Sequence, residues 1–326
     1  MPAIRRVASM AIAFCLVLAA TQAFAQQPPF PQRGRPISLI VPYAPGGVTD
    51  TAGRMMAAAL ERELGTSVQV INRAGAASQI GLGELARSRP DGYTLSYMVL
   101  PTVVTHYVET PRTPPYTRES FQPIGNHHLS PQTIAVRADS PHRTLRDLVD
   151  AARARPETLS FSTSGQMAVP HVQVLMLEQV TGARFIAVHY TGGAPSVTAL
   201  LAGHVDAFTG GTADSLPHLR SGAFRVLGVA AATRDPSMPE VPTHREQGFD
   251  VLAASATGIV APAGTPIPVV QTLSSAMQRI IDSPEHQRPL VEFSLIPAFM
   301  DPEAYSQFWL DTERRMAPVL RTIRPN

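Results

Sequence analysis

The chain has 326 residues, of which 44% are hydrophobic and 16% charged, and its 27 basic and 25 acidic residues leave a formal net charge of +2. Every basic residue is an arginine, and the arginines are scattered, which excludes the basic stripe of a nucleic-acid-binding surface. The one cysteine, Cys15, excludes a disulfide framework, and the length is enough to bury a sizeable core, read here as two domains.

Arg5 and Arg6 precede an almost unbroken apolar run from Val7 to Ala20, and Ala23-Phe24-Ala25 offers a small-x-small cleavage site ahead of Gln26-Gln27. That order is expected of a secretory signal peptide over residues 1–25, exported by the general secretory route rather than the twin-arginine one. Phe14 stands where a lipoprotein needs a small residue before Cys15, so the mature chain is expected to carry no thiol. The expected compartment is the periplasm.

After a Pro/Gln-rich leader, Ile37 to Val41 reads as a buried strand. A helix capped by Thr49 or Asp50 then runs to about Leu64 and stops at Gly65. Val68 to Ile71 is the next strand, Ile80 to Ser88 the next helix and Tyr93 to Met98 a third strand. That alternation predicts a parallel sheet with crossover helices. Pro101 to Pro131 reads as loop. Thr144 and Asp147 then form a capping-box pair opening a helix that ends before Pro156. Strands at 159–162, 184–188, 205–208 and 224–230 alternate with helices at 171–180 and 194–202. A strand at 258–260, a helix at 267–281 and a helix after Asp301-Pro302 complete the chain. The expectation is two α/β lobes, residues 26–128 with 252–326 and an inserted lobe 129–251. The chain would cross twice between them, with a cleft where strand C-terminal ends meet.

Three glycine-bearing loops lead from a strand into a helix. They are Val41-Pro42-Tyr43-Ala44-Pro45-Gly46-Gly47-Val48-Thr49, Ser162-Thr163-Ser164-Gly165-Gln166 and Tyr190-Thr191-Gly192-Gly193-Ala194. Glycines before a helix start let backbone N–H groups approach a ligand, and the helix end favours negative charge. One such loop is an ordinary turn. Three at equivalent strand ends describe an anion cradle of uncharged donors.

At these positions the sequence resembles the tripartite tricarboxylate transporter substrate-binding family, also called the Bug family. The resemblance rests on Ile40-Val41-Pro42-Tyr43, Pro45-Gly46-Gly47 with Thr49-Asp50, Val70-Ile71-Asn72-Arg73 and Arg89-Pro90-Asp91-Gly92-Tyr93. It continues through Thr163-Ser164-Gly165, Gly192-Gly193-Ala194-Pro195, Leu200 to Asp206 and Ala261-Pro262-Ala263-Gly264-Thr265-Pro266. It implies a type II periplasmic-binding-protein fold, two lobes closing on one ligand carboxylate. Carried over by residue, the first lobe would contribute Tyr43, Pro45, Gly46, Gly47, Thr49 and Ser78. The second would contribute Ser162, Ser164, Gly165, Gln166, Tyr190, Gly193 and Asp206. Tyr43 would wall the ligand or simply pack at a strand end; Asp206 would accept from the ligand or serve as a buried hydrogen-bonding residue. Ala77-Ser78, Gln166-Met167 and Ala253-Ala254-Ser255-Ala256 depart from the family pattern and imply a pocket of altered shape.

The implied partners are a small carboxylate (mono- or dicarboxylate, aromatic acid or acidic amino acid) and either the membrane subunits of a tripartite transporter or a sensor kinase. No cofactor and no nucleic acid are expected, and the chain is expected to be a monomer. A hydrolase using Ser164, His171 or His189, and Asp206 is the rival, weakened by the absence of a Gly-x-Ser-x-Gly elbow. His127-His128 and His204 with Asp206 are the only suggestive metal clusters, and neither has ligand spacing. Arg54, Arg73 and Arg137 are the arginines that could reach the cleft from a distance.

Overall fold

The computed structural model describes residues 30–108 and 116–322, so the expected signal peptide lies outside the described residues. The chain folds into two α/β lobes. In the first, β1 (Ile37–Val41) pairs in parallel with β2 (Val68–Asn72) and β3 (Thr94–Leu100). Ile37 and Leu39 are fully buried, and α1 (Val48–Leu64) covers them with Ala52, Met56 and Leu60. Gly53 is the point of closest approach, since a β-carbon there would lie 2.8 Å from Val41 Cγ2. Gly65 ends α1 in the left-handed conformation with its N–H on Glu61 O, as its place after the last apolar residue predicts. The short α2 (Gln79–Ala86) makes the next crossover.

In the second lobe β5 (Ser160–Thr163) pairs in parallel with β6 (Ile186–His189) and β7 (Ala207–Gly211). Between these strands stand α5 (Val169–Thr181) and α6 (Gly193–Leu201). Ahead of β5, α4 (Leu145–Ala154) opens with the expected capping box: Asp147 N donates to Thr144 Oγ1 at 3.1 Å, and Thr144 N donates back to the Asp147 carboxylate at 2.9 Å.

The stretch read as loop holds the largest departure. It contains α3 (Thr102–Val108) and the 17-residue strand β4 (Phe121–Arg137), which runs through both lobes. The N-terminal part of β4 pairs with β9 (Ala254–Pro262) and β10 (Ile296–Met300). Its C-terminal part pairs with β7 and β8 (Phe224–Val229). Pro123, Gly125 and Pro131 hid it, because such residues ordinarily interrupt a strand. Register shifts at Pro123/Gly125 and Asn126/His128 accommodate them. Burial on both faces also removed the apolar–polar alternation that marks a half-exposed strand. α7 (Thr212–Arg220), with Pro217 inside it, was likewise unforeseen, as was α9 (Pro284–Glu292), with Pro289 inside it. α8 (Ile267–Asp282) and α10 (Pro302–Thr322) stand where expected.

The two chain crossings are knit together beside β4. Gln132 N donates to Ala253 O at 2.9 Å, Ala253 N to Ala230 O at 3.0 Å and Ala230 N to Gln132 O at 2.7 Å.

Candidate functional site

Between the lobes lies a small cavity of about 60 Å³. Its walls are the starts of α1, α5, α6 and α7, together with the middles of β4 and β9. The lobes touch around it. Ala44 N donates to Thr191 O at 3.1 Å, Val169 N to Thr102 Oγ1 at 3.2 Å and Thr105 Oγ1 to Met167 O at 2.8 Å. Glycine permits the closest approaches. A β-carbon at Gly47 would lie 3.4 Å from Ala194 N, and one at Gly165 would lie 2.9 Å from the Ala77 β-carbon.

Of the residues expected to hold a ligand, Tyr43, Gly47, Thr49, Ser164 and Gly193 line this cavity. Tyr43 packs at the strand end, its ring against Val99, Val169, Ala230 and Ala253, and the same side chain forms part of the cavity wall. Burial pushes its hydroxyl up to about 12, against the weaker pull of nearby Ser78 and Thr102. Ser78 is buried behind the wall, its Oγ without a hydrogen-bond partner among the described residues.

The others are placed differently. Pro45 and Gly46 are exposed, and Gly46 faces a neighbouring cavity beside Ala194. Ser162 is fully buried and donates to Ser196 O at 3.0 Å, tying β5 to α6. Gly165 packs on Ala77, Gln166 is exposed on an outer cavity with His171 and His189, and Tyr190 joins the core around Phe208. Asp206 is corrected: it is exposed at the start of β7, opposite to the cleft end, and accepts from Ser160 N at 2.8 Å and Ser160 Oγ at 2.7 Å. Strand alternation is blind to which end of a strand faces the cleft, and the acid caps the sheet's far edge. His171 Nδ1 accepts the Met167 N–H at 2.9 Å, so Ser164, His171 and Asp206 form no relay. Arg54 is bound to Asp50 and Asn72, Arg73 to Glu84 and Arg137 to Asp139, all away from the cavity.

The ionisable residues lining the cavity are Tyr43, His128 and Asp214. His127 and His128 lie within β4, not in a loop, with rings 4.8 Å apart. His127 Nε2 meets His286 Nε2 at 2.8 Å and its Nδ1 meets the Tyr97 hydroxyl at 2.7 Å. Burial holds His128 down to about 3, with His286 adding repulsion, so its ring is neutral. Its Nε2, like Ser130 Oγ, has no partner, and both residues face the cavity. Asp214, in the first turn of α7, takes backbone hydrogen bonds from Val48, at the start of α1 in the other lobe, and from Gly211. Burial raises its carboxyl to about 7 against those bonds. Among the described residues no group of three or more His, Cys, Asp or Glu could hold a metal ion, and no helix is long and apolar enough to cross a membrane.

A family model described as TctC, tripartite tricarboxylate transporter family receptor, matches residues 52–324. The chain belongs to the TctC family. A curated relative from Cupriavidus necator, the UPF0065 protein in the gbd 5′ region, is 31% identical over 98% of this chain and 96% of its own. The periplasmic binding protein BugD superposes with a TM-score of 0.85 at 28% identity, over 90% of this chain and 98% of BugD. A protein of R. palustris solved with adipate gives 0.86 at 28% identity, over 90% of this chain and 98% of that one. MatC from Rhodopseudomonas palustris, solved with malate, gives 0.83 at 27% identity, over 89% and 100%. BugD is a periplasmic binding protein, and this TctC chain shares its two-lobe fold.

Within this TctC chain the sequence reading missed His128, Ser130 and Gln132, which lie on the unforeseen β4, and Asp214 on the unforeseen α7. A signal for Asp214 was present. Thr209-Gly210-Gly211 before Thr212 repeats the strand–glycine–helix pattern of the other three loops, with an acid at the third helical position.

Proposed function

We propose that this chain captures a small carboxylate-bearing molecule between its lobes, does no chemistry on it, and delivers it to the membrane subunits of a tripartite tricarboxylate-type transporter. In this reading residues 26–128 and 252–326 form one lobe and 129–251 the other, and the chain is exported to the periplasm on the signal peptide of residues 1–25. The observation that carries it is the convergence of three glycine-bearing helix starts on one cavity lined by hydroxyls. Backbone N–H groups at helix starts favour an anion, and no arginine is needed to hold a single carboxylate. The adipate and malate bound by relatives fit the same ligand class.

Tyr43, Gly47, Thr49, Ser164 and Gly193 are the residues that would meet the ligand. Contacts from both lobes make the closed form the tighter binder, so ligand shifts the population from open to closed. A thermal-shift screen of protein beginning at Gln26, unfolded and refolded to strip carried ligand, tests this. One class of small acid should raise the melting temperature in proportion to the logarithm of its excess over Kd. A protein unmoved by every acid, but moved by a neutral or cationic compound, would overturn the carboxylate reading.

A further inference from the structure

A cradle for anions has no need of an acid in its wall, yet Asp214 is there. Its carboxylate lies between the starts of α1 and α6, hydrogen-bonded from Val48 and pressed on Gly193. Resting on the carboxylate reading above, we propose that Asp214 is the specificity-determining residue of the cleft, selecting a monocarboxylate whose other end carries a hydrogen-bond donor over a dicarboxylate.

Among the described residues no arginine lines the cavity, so none of them offsets Asp214 there with a full positive charge. Two backbone bonds leave acceptor positions of the carboxylate unused. A ligand N–H or O–H can fill one; a second ionised carboxylate meets like charge. His128 and Ser130 give an independent sign of an unfilled polar site, since His128 Nε2 and Ser130 Oγ are unpartnered on residues only 1% and 2% exposed. The hydroxyls of Thr49, Ser164 and Thr257 line the same cavity and can meet the acid end of the ligand.

The titratable groups nearest Asp214 leave the selection to it. His128 on β4 stays neutral, Asp50 on α1 is held ionised by Arg54, the Gly46 N–H and Asn72 despite its burial, and burial lowers His218 on α7. As pH falls through about 7, Asp214 gains a proton and becomes a donor, so discrimination against dicarboxylates should weaken.

The test is a thermal-shift and calorimetric comparison of matched pairs at pH 8: glutarate with glutaramate, adipate with adipamate, and terephthalate with 4-carbamoylbenzoate. The wild-type protein should prefer the amide member of whichever pair binds by about tenfold or more, and the preference should shrink at pH 6. Asp214→Asn should bind the diacid of the same pair at least as well as the amide. If Asp214→Asn fails to fold, the pH 6 to pH 8 comparison on the wild type decides alone. Preference for the diacid at pH 8 by the wild type would overturn the proposal while leaving the carboxylate reading standing. An equal gain for both members in Asp214→Asn would mark Asp214 as an internal competitor for the ligand's acid group and also overturn it. Silence toward every acid would sink the carboxylate reading itself, and this proposal with it.

Discussion

A β-carbon on Gly193 would lie 2.6 Å from Oδ1 and 2.9 Å from Oδ2 of Asp214, so the acid of α7 rests on the first residue of α6. That contact, with the Val48 N–H on the same carboxylate, fastens the second lobe to the start of α1. Two positive helix ends are thereby brought together across one negative charge. Gly193→Ala places a methyl in that contact at a position with ordinary helical backbone. Overpacking of about 1–3 kcal/mol is expected in open and closed forms alike, since both residues belong to the second lobe. The ligand-free melting temperature should fall by a few degrees, as thermal unfolding will read.

Gly165 bridges the lobes differently. Its φ is +145°, a region that side chains rarely enter, and a β-carbon would also meet Ala77 at 2.9 Å. Gly165→Ala should cost about 1–3 kcal/mol of stability, because the strain exists whether or not the lobes close. Like Gly193→Ala, it should lower the midpoint of denaturant unfolding even without ligand.

Asp206 and Ser162 separate scaffold from site. Asp206→Ala removes two bonds to Ser160 at the exposed edge, and Ser162→Ala removes the buried bond to Ser196 O. The first should cost under about 1 kcal/mol and the second about 1 kcal/mol. Neither should change the ranking of ligands in the screen.

Stability should climb as pH rises from about 4 to 6.5. Burial lowers His106, His171, His244 and His286 to about 4 and His128 to about 3. Below 6.5 the unfolded chain binds protons that these buried rings refuse, so stability drains away as pH falls toward their folded values. Asp214 has the opposite sign: its folded value is raised, so its contribution is present at low pH and lost as pH rises through about 7. The histidines outnumber it. Melting temperature against pH should therefore rise toward neutrality, and Asp214→Asn should steepen the rise.

Much of the fold was legible because most elements carry their own signals. The apolar runs of β1 and β3, the Gly65 stop and the Thr144–Asp147 box are local features, and each formed where expected. β4 was not legible, since its proline and histidine content makes sense only when both lobes bury it. The same limit applied to the cavity. Glycine loops announced the helix starts that face it, whereas His128, Ser130 and Asp214 enter through pairing and packing between segments far apart in sequence. Asp206 was misplaced because the family resemblance carried it to the ligand, whereas it stands at the start of β7 bonded to Ser160.

The most direct measurement is isothermal titration of refolded, ligand-free protein with the best acid from the screen, wild type beside Gly47→Leu. Gly47 has an unstrained backbone, and a β-carbon there would sit 3.4 Å from Ala194 N, so leucine wedges α1 from α6 without harming either lobe. Saturable one-to-one binding by the wild type, weakened roughly a hundredfold (about 2.7 kcal/mol) in Gly47→Leu at nearly unchanged melting temperature, is the predicted result. Unchanged affinity in Gly47→Leu would place the ligand outside the cleft and contradict the account.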